Sequence, residues 1–121
     1  MTTDIILMNR IFADDTEDGR DVWYNTPIKN CEYKVEVQKL EIKENSSGTQ
    51  RLFTFLIPFG NFKSYEDWKT DKKGYTISIN DKIAIGNTTN IGTPNILKVQ
   101  SFIIAEQKYG VKYQLQIKAV G

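Results

Sequence analysis

The stretch Gly74-Tyr75-Thr76-Ile77-Ser78-Ile79-Asn80-Asp81-Lys82-Ile83-Ala84-Ile85-Gly86 decides the fold class. Tyr75, Ile77 and Ile79 alternate with Thr76 and Ser78, and Ile83 and Ile85 resume the same phase after Asn80-Asp81. Strict period-two alternation means strand, with one face buried and one wet. Asn and Asp form turns because their side chains bond nearby backbone and tolerate left-handed geometry. The segment therefore reads as two short strands around a tight bend, or one strand bent there, with glycine punctuating both ends. Ile77, Ile79, Ile83 and Ile85 are the predicted core residues. The segment carries architecture and no chemistry.

The pattern continues toward the C-terminus. Asn87 to Asn95 is a polar loop. Ile96 to Ala105 reads as a strand with Leu97, Val99 and Ile103 in phase, interrupted at Ser101 and apolar on both faces at its far end. Gly110 marks a hairpin, and Val111, Tyr113, Leu115, Ile117 and Ala119 form the longest regular alternation in the chain.

Toward the N-terminus, Asp4 to Phe12 reads as a first strand with a polar break at Asn9-Arg10. Ala13 to Asp21 is an acidic loop. Asp14, Asp18 and Gly19 fit three places of an EF-hand spacing, but Thr16, Val22 and Asn25 stand where further ligands are required. The better reading is a hairpin turn with Gly19 at positive φ. Pro27 cannot donate to a ladder, so Val22 to Ile28 belongs at an edge or just before a strand. Cys31, Tyr33, Val35 and Val37 then alternate cleanly. Leu40 and Ile42 fall out of phase, which predicts a bulge near Gln38-Lys39. Lys43 to Gln50 reads as a mobile polar loop, and Phe53, Phe55 and Ile57 line one face of the next strand. Ser64 to Lys69 is the only helical candidate, with Ser64 as N-cap and Tyr65 and Trp68 on a shared face that forms a lid over the sheet core. The expected fold is all-β, mainly antiparallel: a small barrel or sandwich of six to eight strands with one short helix, in a single domain over residues 1–121.

Composition narrows the chemistry. The 121 residues suffice for one domain with a real core. Lys+Arg total 16 and Asp+Glu 15, so the net charge of +1 does not call for nucleic acid. Cys31 is the single cysteine; without a Cys or His partner it reads as a packed thiol. Histidine is absent, which removes the commonest general base and metal ligand. Glu32, Glu36 and Glu41 read as a solvated strand face rather than an acid/base pair. No metal, cofactor or catalytic constellation is predicted. The first ten residues lack a basic leader and a long apolar run, so a cytosolic or assembled-particle protein without a membrane span is expected. An oligonucleotide-binding barrel is the alternative. Against it, Phe53, Phe55, Tyr75 and Tyr113 sit on the buried phase, and the wet positions mix Lys with Glu.

The order of motifs resembles small proteins of tailed-phage and prophage structural modules, the head-completion, head-tail connector and minor capsid proteins of Gram-positive hosts. The matching residues are Leu7-Met8-Asn9-Arg10, the acidic turn to Asp21-Val22-Trp23-Tyr24, Ile28-Lys29-Asn30-Cys31-Glu32-Tyr33, and Phe55-Leu56-Ile57-Pro58. They continue in Tyr75-Thr76-Ile77 and Asn80-Asp81-Lys82-Ile83-Ala84-Ile85-Gly86. Asn80 stands where the family pattern has Gly. Tyr113-Gln114-Leu115 and the closing Val120-Gly121 stand where a His-Trp is common. The resemblance implies a non-enzymatic β-barrel that assembles as a homo-oligomeric ring in the virion, put together in the host cytoplasm, and contacts other head or tail proteins through loops. The loops it implicates carry Lys43, Asn45, Ser46 and Arg51, and Asn87, Thr89 and Pro94.

Overall fold

A computed structural model describes residues 2–12, 19–20, 22–42, 46–58, 60–86, 96–105, 110 and 113–121, excepting the side chains of 38–42 and 46–49. Six strands, β1 (Thr2–Ile11), β2 (Val22–Ile42), β3 (Ser46–Ile57), β4 (Lys82–Ile85), β5 (Ile96–Ile104) and β6 (Leu115–Val120), are joined by one helix, α1 (Tyr65–Asp71), between β3 and β4. The strands close into a barrel in the order β1-β2-β3-β6-β5-β4, every pair antiparallel. Closure removes the sandwich alternative. Among the described residues no helix is long and apolar enough to cross a membrane.

The inward phases of the strands meet as the alternation predicts. Ile5 and Leu7, Phe53, Phe55 and Ile57, Ile83, Leu97 and Val99, and Leu115, Ile117 and Ala119 form one core with Cys31, Tyr75 and Ile77. Phe53, Phe55 and Tyr33 stack, with ring centroids 6.0–6.5 Å apart. Paired residues run once round the barrel from Met8 through Lys82, Lys98, Val120 and Leu52 to Glu36. That lies eleven residues along β2 from Asn25, Met8's own partner. This stagger tilts the strands across the barrel axis and lets six of them enclose a filled core.

The structure moves several features. The opening stretch contains one strand only: Tyr75 makes a single parallel bridge to Phe62, residues 76–78 belong to no ladder, and β4 starts at Lys82. Ile79 falls in the turn and is 48% exposed, so it is not a core residue. Its neighbour Asn80 takes positive φ, and its backbone N–H donates to the Val99 carbonyl. The predicted bulge at Gln38-Lys39 does not exist. β2 and β3 pair in unbroken register from Glu32–Leu56 to Ile42–Ser46. The phase slips earlier, between β1 residues Thr3 and Ile5, where β2 carries one extra residue and Asn30 takes positive φ. Asp4 Oδ1 accepts the Asn30 N–H at 3.1 Å and so satisfies the bulge. In β5 a second irregularity between Val99 and Ser101 turns Phe102 toward the core and leaves Ile103 60% exposed. Pro27 sits where β2 is paired on one side only, as its missing N–H requires.

Candidate docking end of the barrel

Antiparallel pairing gives β2, β4 and β6 one direction and β1, β3 and β5 the other. The ends joined through residues 43–45 and through residues 87–95 therefore lie at the same end of the barrel. Thr2 at the start of β1 and Val120 at the end of β6 lie there too. The strand ends that flank the two loops singled out in the sequence therefore share one end of the barrel, although they are far apart in the chain.

At this end β2 and β3 outrun the barrel. β1 leaves β2 at Glu32, and β6 begins its pairing with β3 at Leu52. Residues 38–42 and 46–50 pair only with each other among the described residues, as a two-stranded ribbon beyond the barrel wall. The expected loop over Lys43 to Gln50 is thus corrected: Ser46 to Gln50 is strand. Lys43, Asn45, Asn87, Thr89 and Pro94 lie outside the described residues, and of Ser46 only the backbone is described.

Arg51 stands at the base of the ribbon. Its Nε donates to the Gly121 carbonyl at 3.4 Å, and its guanidinium lies 5.4 Å from the Phe53 ring centroid. The Gly121 N–H in turn donates to the Arg51 carbonyl at 3.3 Å. The residue proposed as a contact also anchors the C-terminal strand. Val35 and Val37 share the inward phase of β2, yet they are 38% and 69% exposed because the barrel no longer covers them. Alternation looks the same whether or not a neighbour covers the face, so the sequence places them on the apolar face of a half-buried strand. The out-of-phase Leu40 and Ile42 were the available hint that the strand runs past the core.

The opposite end is closed, and its polar groups serve the fold. Ser64 Oγ accepts the Asp67 N–H and caps α1. Trp68 is fully buried and meets Tyr24 edge-on at 5.5 Å, which makes α1 the predicted lid. Asp81 is buried in the turn before β4. Its carboxylate accepts from Asn9 Nδ2 at 3.0 Å and from the backbone N–H groups of Arg10 (3.1 Å) and Ser78 (2.8 Å). Burial pushes its pKa up, and those three donors oppose the shift. The polar break at Asn9-Arg10 thereby becomes the clasp that ties β1 to the turn. Gln114 Oε1 accepts from the Tyr75 hydroxyl at 2.6 Å and from the Gly60 N–H at 3.2 Å. Burial pushes Tyr75 up to about 12. Cys31 is completely buried, and burial pushes its thiol to about 12.

Comparison with protein-family models, with curated proteins and with solved structures returned no match. Among the described residues no group of three or more Cys, Asp or Glu is placed to hold a metal ion. The features at the ribbon end suit contact with another chain: a two-stranded ribbon whose outer edges have no partner among the described residues, and two exposed valines.

Proposed function

We propose that the protein is a non-enzymatic assembly subunit of the head-tail connector or minor capsid type, acting by self-association and by docking to other virion proteins. The ribbon carries the reading. A two-stranded ribbon without further neighbours is marginal by itself, and its unpaired edges are templates for another strand. Here it projects from a rigid closed barrel at the end that also receives the 87–95 connection and both terminal strands. The three clearly perturbed buried groups, Asp81, Cys31 and Tyr75, support a structural role as well. Asp81 is held by three donors, and the Cys31 thiol is protonated at any physiological pH.

Light scattering over a range of concentrations, with negative-stain imaging, tests this. Association that rises with concentration, with closed particles in the images, is expected. A variant in which residues 38–50 are replaced by a tight Asn-Gly turn should keep the barrel and lose the association. A strictly monomeric wild-type chain up to about 100 µM, well above the roughly micromolar or tighter dissociation constants of specific interfaces, would sink the reading. The oligonucleotide-barrel alternative loses its aromatic platform, because Phe53, Phe55 and Tyr75 are buried in the core.

A further inference from the structure

The net charge of +1 conceals a segregation that only the topology reveals. Strands β3, β6, β5 and β4 are consecutive neighbours in the barrel and contain no Asp or Glu. Their outward positions carry Lys82, Lys98 and Lys118. In register, Lys34 of β2, Thr54 of β3, Lys118 of β6 and Ser101 of β5 form one cross-strand row of cations and hydroxyls. Lys98 lies one step away on β5, opposite Val120, and Lys82 of β4 is directly opposite Lys98. At the far side Lys82 Nζ lies 5.9 Å from the centroid of the half-buried Trp23 ring. None of the four lysines forms an ion pair with a described carboxylate.

Like charges directly opposite in a sheet repel and cost stability. Lys82 and Lys98 face each other on β4 and β5, with no acid on either strand to offset them. An anion laid across the wall removes that cost. Glu32 and Glu36 flank Lys34 on β2, and Leu52, Leu56, Val120 and the exposed Ile103 border the cationic positions, so the track is narrow. Along it the row around Lys118 sets hydroxyls between the cations. That chemistry fits phosphodiester oxygens, and the ring beside Lys82 stands where a base could stack at the end of the track. Four strand-to-strand steps from Lys34 to Lys82 cover about 20 Å at the usual ~4.8 Å spacing. That suits a few nucleotides, the short end of the range for small barrels.

We infer that the outer face of the β3-β6-β5-β4 wall is a binding site for single-stranded nucleic acid, held through its phosphates by Lys34, Lys118, Lys98 and Lys82. The site is separate from the ribbon and stands whether or not the chain self-associates. It is read by fluorescence anisotropy of a labelled oligodeoxythymidylate of about 15 nucleotides. Weak, salt-sensitive binding is expected, with log K falling against log salt at a slope of about −3 for four phosphate contacts. The double variant Lys98→Glu with Lys118→Glu should lose roughly tenfold or more in affinity and about half the slope. Its circular dichroism and urea midpoint report whether the barrel is intact. Lys73→Glu, in the turn after α1, is the control and should leave binding within about twofold. The inference is overturned by an absence of binding at low salt, or by binding that the double variant leaves intact. It is overturned too by equally tight binding of poly-glutamate, which would reduce the wall to a general anion surface.

Discussion

Gly74 and Gly86 bracket the same segment and both take positive φ, +77° and +79°, yet they are not equivalent. A Cβ on Gly74 would collide with the Asn61 carbonyl, the group that accepts the Tyr75 N–H at 3.0 Å. A Cβ on Gly86 meets nothing within 4 Å. Gly86→Ala should therefore cost only the left-handed penalty, about 1–2 kcal/mol. Gly74→Ala adds a clash that must break the Phe62–Tyr75 bridge, for a loss of about 3 kcal/mol or more. Urea midpoints of the two variants check the order, and equal losses would contradict it. Cys31 gives a prediction with a pH axis. Its thiol ionises at its ordinary value in the unfolded chain and only near 12 in the fold. The fold thus binds the proton more tightly, and the stability present below pH 9 is lost as the pH rises toward 12. Tyr75 acts in the same direction from 10 upward. Urea midpoints should fall from about pH 9, and the early part of that fall should flatten in Cys31→Ala. A thiol reagent at neutral pH should label Cys31 only after unfolding, since the thiolate is the reactive form.

At the scale of elements, α1 is short and gains its stability from what it buries. Trp68 is its one buried residue and closes the barrel against Tyr24. Trp68→Ala should cost about 3–5 kcal/mol by leaving a cavity under the lid. Ser64→Ala should cost about 1 kcal/mol through the lost cap. Chemical denaturation of both variants tests the order, and similar effects would mean that the helix is held by its backbone rather than by the plug. The helix, its cap and its buried face were all legible in six residues, because capping and i,i+3 spacing are local. So were the inward phases of β3, β4 and β6. The β2 bulge at Asn30 was not legible. It arises because Asp4, remote in the chain, supplies an acceptor for the extra N–H. The Tyr75–Ser78 stretch was misread for a similar reason. It alternates like a strand because Tyr75 and Ile77 face the core, but no neighbour pairs with it beyond Phe62.

The whole molecule divides into a closed barrel and an open appendage, and that division is what alternation cannot see. Val35 and Val37 continue the pattern of Cys31 and Tyr33, and only the ends of β1 and β6 determine where covering stops. The lysine wall was hidden likewise, since strand order and not sequence order brings Lys82, Lys98 and Lys118 together. The division should be visible in native-state hydrogen exchange. Amides of β1, β4 and β6 are bonded between two neighbours and should exchange only by global unfolding. Amides of residues 38–42 and 46–50 have a single partner strand and should exchange by local fraying, faster by two or more orders of magnitude. Raising the protein concentration distinguishes a passive ribbon from a docking one. If the ribbon edge pairs with another copy, its amides become protected in step with the mass seen by light scattering, while the barrel rates stay constant. Association that leaves ribbon exchange unchanged would move the interface elsewhere on the barrel and remove the ribbon from the proposed mechanism.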